Sequence, residues 1–295
     1  MGKIMSKPFF IDENINILTG DIAIKALEKE NDQEFLNKDK GIVKVSPERW
    51  KKAQECEKRH WMVKGIKSGN DRNDYHFEQF NCYKDIKNRN FESILEIGCG
   101  PFTNSRIIAK ICKVDNCSLL DPLISDYLKH PFCSYDKQYL YSEVFPLLGK
   151  LTRKFFPVAF KLYQRMFTKR TKIKNVYDVA IEKINSDAEY DLVIMINVLE
   201  HCYDAELVFQ NILQITHKNS YFIFEDKFYT AVEANHMVRK SYDAAHPLKV
   251  DRKIIENYLY ENFEVVYKRI QTNNMFFEGE KIQWDDIYFI GKKNK

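Results

Sequence analysis

The residues of this 295-residue chain best placed to do chemistry are two glycines and an aspartate. Ile94-Leu95-Glu96-Ile97-Gly98-Cys99-Gly100-Pro101 is apolar up to its glycines, and Asn104-Ser105-Arg106-Ile107-Ile108-Ala109-Lys110 follows with a helix-like pattern. A buried strand running through a tight turn into a helix has that signature. Glycine carries no Cβ, so the turn lets backbone N–H groups and a helix N-terminus approach a ligand closely. Asp121 ends the next apolar run, Ser118-Leu119-Leu120-Asp121, near the spacing at which a mononucleotide-binding fold sets its ribose carboxylate. Together these residues describe a nucleoside site. The plain structural alternatives are a strand–helix turn without ligand and, for Asp121, a helix N-cap ahead of Pro122.

A dinucleotide fingerprint requires glycine at position 103, where Thr103 stands. Glu96 instead sits two residues before the first glycine. The pattern Glu96-x-Gly98-x-Gly100-Pro101 resembles motif I of class I S-adenosylmethionine-dependent methyltransferases. A second stretch, Tyr190-Asp191-Leu192-Val193 running into Asn197-Val198-Leu199-Glu200-His201, resembles the fourth strand of the same class. A helical pattern from Asp204 to His217 and an apolar run Tyr221-Phe222-Ile223-Phe224-Glu225 follow in the order that class requires. The resemblance covers roughly residues 90 to 295. It implies an α/β, Rossmann-like fold with a mostly parallel sheet, a C-terminal antiparallel strand and S-adenosyl-L-methionine as cofactor. It also implies roles. Gly98, Cys99 and Gly100 would admit the amino acid part of the cofactor. Glu96 would orient the cationic tail, to which a carboxylate is better suited than to a pyrophosphate, or satisfy its surroundings. Asp121 would accept from both ribose hydroxyls, Ile181 and Glu182 would flank the adenine, and Asn197 and Leu199 would line the floor near the methionine.

Transfer to a hydroxyl calls for a group that takes its proton. His201 and His246 are the candidate catalytic residues, because histidine titrates near neutrality. Each has a structural alternative, His201 in a strand–helix turn and His246 before Pro247. Glu225, Asp226 and Asp243 are reserves; Glu225-Asp226 could help hold a divalent ion, but no ligand spacing compels one, and no metal is expected. Glu48-Arg49-Trp50-Lys51-Lys52-Ala53-Gln54, with Glu57, His60 and Trp61, resembles a leader helix of methyltransferases from bacterial surface-polysaccharide (capsule) gene clusters. There the leader lies over the cofactor cleft, which would set His60 and Trp61 near substrate.

These residues need elements to hold them. Residues 1–90 read as an N-terminal helical accessory or lid segment and 91–295 as the cofactor-binding domain, with a basic helical insertion at about 130–174. A polar helix is expected over Ile22–Leu36, a clearer one from Ser46 as N-cap with Pro47 at its first position, and another over Phe77–Ile86. Strand three is expected at Val176–Ile181. Gly149–Lys174 holds nine Lys/Arg and no acidic residue, with Leu148, Leu151, Phe155, Ala159, Leu162 and Met166 at helical steps. It reads as an amphipathic helix pair kinked at Pro157. Its basic face admits three readings: a solvated surface over a core-facing stripe, a rim attracting an anionic acceptor, or a membrane-surface helix. Arg252–Tyr260 reads as a helix, and Phe263–Ile270 and Ile287–Gly291 as closing strands.

A hydrophobic content of 44% supports a sizeable core, and a net charge of +4 points to no nucleic-acid partner. Seven cysteines without a C-x-x-C pair fit reduced thiols in a cytoplasmic protein. No apolar run approaches bilayer length, and the first residues lack the apolar core of a secretory signal. The expected activity is O-methylation of a small polar acceptor, neutral or anionic, such as a sugar or phosphorylated precursor in surface-polysaccharide synthesis. The alternatives are a membrane-associated lipid or quinone methyltransferase and a non-catalytic cofactor-binding protein. A nucleic-acid base methyltransferase would carry an Asp/Asn-Pro-Pro-aromatic motif where Asn197-Val198-Leu199-Glu200 stands.

Overall fold

Apolar runs buried on both faces form the centre of an eight-stranded sheet. The computed structural model describes residues 37, 39–65, 72–144, 157–234, 243–277 and 280–294. The helix expected over Ile22–Leu36 and the first part of the basic insertion, 145–156, lie outside them. The elements run β1 (Gly41–Ile42), α1 (Pro47–Arg59), α2 (Asn73–Gln79), β2 (Asn90–Ile97), α3 (Ser105–Ile111), β3 (Lys113–Leu120), α4 (Ile124–Tyr127), β4 (Tyr139–Glu143), α5 (Pro157–Phe167), β5 (Thr168–Tyr177), β6 (Tyr190–Ile196), α6 (Ala205–Gln214), β7 (Thr216–Phe228), β8 (Lys249–Val250), α7 (Arg252–Asn262), β9 (Phe263–Phe277) and β10 (Glu280–Lys293).

The sheet order is β4-β5-β3-β2-β6-β7-β10-β9. The strands from β5 to β7 are parallel, β10 is antiparallel to β7 and to β9, and β4 is an antiparallel edge on β5. Alternate residues of each central strand enter opposite cores. Leu95, Ile97, Val193, Met195, Phe222 and Phe224 pack on one face with α6 and α7 residues such as Val208 and Leu259. Ile94, Ile194, Ile223 and Tyr288 pack on the other with Phe80 and Ile108. Strand order reverses at β2, so the carboxyl ends of β2 and β6 border a crevice, the place where open α/β sheets bind ligands. β1 pairs with β8 in a second, two-stranded sheet, and Val45 N–H donates to the Tyr203 carbonyl at 2.9 Å. Both contacts draw α1 toward that crevice.

The capping reading holds at α1, where Ser46 Oγ accepts from Arg49 N–H at 3.1 Å and Pro47 opens the helix. The described part of the basic stretch Gly149–Lys174 starts at Pro157, the first residue of α5, so the kink expected there involves residues outside the described ones. Three other expectations change. The basic run after α5 is not helical: β5 covers Thr168–Tyr177, with Thr171 and Ile173 buried and Lys172 and Lys174 exposed. That period of two fits a strand, and β5 ends at Tyr177, two residues into the stretch expected to be strand three. The stripe expected to face the core is also turned around. Phe160 and Tyr163 pack with Phe102 and Phe132, while Leu162 is 58% and Met166 63% exposed; burying the aromatic rings removes more apolar surface from water. The Phe77–Ile86 helix begins earlier, at Asn73, and breaks where Asn81, Cys82 and Tyr83 take positive φ of 52°, 56° and 52°. The stacked Phe80 and Tyr83 rings bridge this turn at 5.0 Å.

Candidate functional site

The glycine turn after β2 is built by close approach. Gly98 has φ +64°, and a Cβ there would lie 2.4 Å from Val198 Cγ2. Glycine is therefore required by both backbone and neighbour. The turn's N–H groups do not point outward, as the sequence had led us to expect. Those of Gly98 and Cys99 donate to the Leu120 carbonyl at 2.8 and 3.4 Å, and that of Gly100 donates to Asp121 Oδ2 at 3.1 Å. The turn is tied to the end of β3, and what it offers a ligand is space: a Cβ on Gly100 would meet nothing within 4 Å. The Cys99 side chain is buried, 3.5 Å from the Tyr135 hydroxyl.

Glu96 serves the turn itself. Its buried carboxylate accepts the Asn104 and Ser105 N–H groups at 2.7 Å each and the Thr103 hydroxyl. It thus caps the start of α3, the part of its expected role that satisfies surroundings. Burial raises its pKa against these bonds. Thr103, in the place of a third glycine, is a partner in this arrangement.

Asp121 is buried at the mouth of the crevice. Its Oδ1 accepts from Leu123 N–H at 2.8 Å and its Oδ2 from Gly100. Burial pushes its pKa up to about 7; the two backbone bonds oppose this, and the Glu57 and Asp178 carboxylates add to it. Each carboxylate oxygen holds one bond and has a further lone pair free for a hydroxyl.

Ile181 and Glu182, expected beside adenine, are turned inward. Ile181 lies in the core, and Glu182 Oε1 accepts the Tyr203 and Asp204 N–H groups at 2.6 and 3.2 Å. Because β5 ends at Tyr177, the residues leaving the strand toward Asp121 are Asp178 and the half-exposed Val179. The end of the alternation at Tyr177 is the sequence signal for where this strand stops. After β6, Asn197 takes φ +55° and donates its N–H to the Glu225 carbonyl at 2.8 Å. Leu199 is buried, and its N–H and that of Val198 donate to Asp226 Oδ2 at 2.6 and 3.0 Å. Asp226, a reserve catalyst by sequence, anchors the turn that carries His201.

His201 and His246 come together with ring centroids 4.5 Å apart, and α1 assembles them. Trp50 Nε1 and Gln54 Nε2 donate to the His201 carbonyl at 3.1 and 3.3 Å. The Arg49 guanidinium donates to the Ala244 carbonyl at 2.6 Å and the Asp243 carbonyl at 2.5 Å. Glu57, from the same helix, lies 3.4 Å from His201 Nδ1. His246 Nδ1 pairs with Asp243 at 2.7 Å. Glu200 sits 3.6 Å from His246 Nε2 and is paired with Lys227 at 2.5 Å. Burial holds the His201 pKa below its usual value against the pull of Glu57. Burial also opposes a charge on His246, but Asp243 and Glu200 outweigh it and raise its pKa.

Residues 76–266 match the sequence profile of a family described as a methyltransferase domain. This chain belongs to that family. Its fold is shared by solved structures of low identity. One is a Bacillus halodurans protein assigned to the methyltransferases, 11% identical, with TM-score 0.50 over 75% of this chain and 99% of that one. The YcgJ protein of Bacillus subtilis gives the same figures. The N-methyltransferase NodS of Bradyrhizobium japonicum, solved with S-adenosyl-L-homocysteine, is 12% identical, with TM-score 0.48 over 84% of this chain and 99% of that one. No curated protein matches the sequence.

Of the remaining pair singled out by sequence in this methyltransferase, Trp61 lies beside the glycine turn. His60 caps the C-terminus of α1. Trp61 is half-buried, its ring edge-on to Phe102 at 5.8 Å, and so packs on the residue that follows Pro101. Among the described residues no helix is long and apolar enough to cross a membrane.

Proposed function

We propose that this methyltransferase moves the methyl group of S-adenosylmethionine to a hydroxyl of a small polar acceptor, a sugar or phosphorylated precursor in surface-polysaccharide synthesis. One observation carries the reading: the glycine turn packs directly on the turn that carries His201, so closely that a Cβ on Gly98 would lie 2.4 Å from Val198 Cγ2. The nucleoside half and the histidine half are therefore walls of one crevice. The residues fit the donor. Gly100 leaves the space a ligand needs, and Asp121 keeps lone pairs for two ribose hydroxyls. Gly98, Cys99 and Gly100 shape the seat for the amino acid part, with Glu96 fixing that turn from behind. Asn197 and Leu199 form the floor, and Asp178 and Val179 replace Ile181 and Glu182 beside the adenine.

When bound, the sulfonium supplies an electrophilic methyl group. The protein's part is to hold the acceptor oxygen in line with it and exclude water. His201 and His246 are the catalytic pair, where the hydroxyl proton must be handled, and His60 and Trp61 stand at the acceptor's entrance. The polysaccharide assignment rests on the resemblance of the α1 leader.

Calorimetry tests the donor: S-adenosylmethionine gives heat of binding and NAD gives none. A screen of nucleotide sugars, phosphorylated polyols and lipids with labelled donor tests the acceptor. His201→Ala and His246→Ala lower turnover by about 10²-fold or more with donor affinity nearly unchanged; full rate in both variants removes the pair from catalysis. A lipid acceptor is the second reading, favoured by α5, whose exposed Val158, Leu162 and Met166 stand among Lys161 and Arg165. Loss of co-sedimentation with anionic liposomes in Leu162→Ser/Met166→Ser supports it, and unchanged partitioning removes it.

A further inference from the structure

The fold brings together three metal-ligating side chains that lie far apart in the sequence. Glu57 comes from α1, His201 from the turn after β6 and His246 from the loop before β8. Each offers one ligand atom, and the three atoms lie within 4.8 Å of one another. We infer that Glu57, His201 and His246 form a binding site for a divalent transition-metal ion on the acceptor side of the crevice. This deepens, and rests on, the reading that the histidine pair meets the acceptor hydroxyl.

The surroundings are those of metal-binding imidazoles. A ligating histidine holds its other ring nitrogen against a carboxylate or a backbone carbonyl, which fixes ring and tautomer. His246 Nδ1 has Asp243 at 2.7 Å, and His201 Nδ1 has the Ala245 carbonyl at 3.0 Å. In His246 this leaves Nε2 for an ion, while His201 Nδ1 lies between the Ala245 carbonyl and Glu57, which is 3.4 Å away. The supports are themselves fixed, since Arg49 grips the Asp243 and Ala244 carbonyls while Trp50 and Gln54 grip that of His201. Charge favours a cation: Glu57, Asp243 and Glu200 face the rings. Lys227 and Lys249 approach the same cluster but engage Glu200, at 2.5 and 3.6 Å, and in the case of Lys249 also Asp243, at 3.8 Å. Glu200 is thereby kept out of the ligand set.

Two imidazoles and one carboxylate select Mn²⁺, Fe²⁺, Co²⁺ or Zn²⁺ over Mg²⁺ or Ca²⁺, which prefer all-oxygen cages. Three protein ligands leave positions for an acceptor hydroxyl or a vicinal diol, the chemical class this site would take. The ion acidifies the coordinated hydroxyl and its proton leaves to water. The oxygen then forms the new O–CH₃ bond as the S–CH₃ bond breaks, releasing S-adenosylhomocysteine.

The test is Mn²⁺ titration of the full-length protein followed by electron paramagnetic resonance. The expected result is one Mn²⁺ per chain with spin-echo modulation from two imidazole nitrogens, displaced by Zn²⁺. Glu57→Gln and His246→Gln should each weaken binding at least about tenfold. S-adenosylhomocysteine calorimetry on each variant shows that its fold is kept. Absence of bound Mn²⁺ and Zn²⁺ in the wild type overturns the inference, as does bound Mn²⁺ without imidazole modulation or affinity unchanged in both variants. The same calorimetry on wild type separates the two levels. If S-adenosylhomocysteine binds and the metal does not, only the metal site falls. If the metal binds and S-adenosylhomocysteine does not, the methyl-transfer reading falls.

Discussion

Asp121 and the two glycines make separable predictions at the scale of single residues. The raised pKa of Asp121 means that the free protein tends to hold a proton there up to about pH 7. Ribose hydroxyls donate to the ionised form and lower that pKa, so binding releases a proton. Affinity for S-adenosylhomocysteine therefore rises with pH and levels off above about 7. Calorimetry at about pH 5.5 and about pH 8, each in two buffers of different ionisation enthalpy, checks both slope and proton release. Asp121→Asn should flatten the slope and cost about 1.5–3 kcal/mol of binding. Gly98→Ala sets a Cβ against Val198 at positive φ and should cost about 2–5 kcal/mol of stability in urea unfolding. Gly100→Ala meets no neighbour; it should cost about 1–3 kcal/mol of stability but abolish donor binding. Equal behaviour of the two variants would contradict the space assigned above Gly100. Turn and aspartate were legible because an apolar strand, glycines and an acidic residue at the next strand end form a local pattern. The inward direction of the turn's N–H groups was not, since it depends on where Leu120 and Asp121 fall in the paired strand.

At the scale of elements, α1 decides whether the site exists. The sequence showed its cap and its likeness to a leader helix, but not that the helix holds two other segments by their backbone carbonyls. Arg49 forks onto Asp243 and Ala244, a geometry that lysine does not reproduce. Arg49→Lys should lower kcat at least about tenfold, with S-adenosylhomocysteine affinity within about twofold, because the loop carrying His246 loses its anchor while the glycine turn is untouched. Wild-type kcat in this variant would show that the loop positions itself. The end of strand three was misread for a related reason. The lysine-rich run Lys169–Lys174 has helix-forming residues, but pairing with β3 and β4 imposes the strand alternation that buries Thr171 and Ile173. With β5 ending at Tyr177, Asp178 and Val179 leave the strand directly, while Ile181 and Glu182 turn inward.

Over the whole molecule, long-range pairing turns a legible fold into a site. Five parallel strands and the closing antiparallel pair follow from apolar runs and their order, and the family match over residues 76–266 agrees with them. The cluster of Glu57, His201 and His246 could not be read in the same way. Its members share no local spacing, and they meet because β1 pairs with β8 and draws α1 across the carboxyl ends of the strands. The most direct test of this shared crevice is a crystal structure of the protein with S-adenosylhomocysteine. The account predicts the ribose hydroxyls on Asp121, the homocysteine part over Gly100 and the sulfur directed toward His201 and His246. A ligand bound away from Asp121, or a sulfur directed away from the histidines, would contradict it.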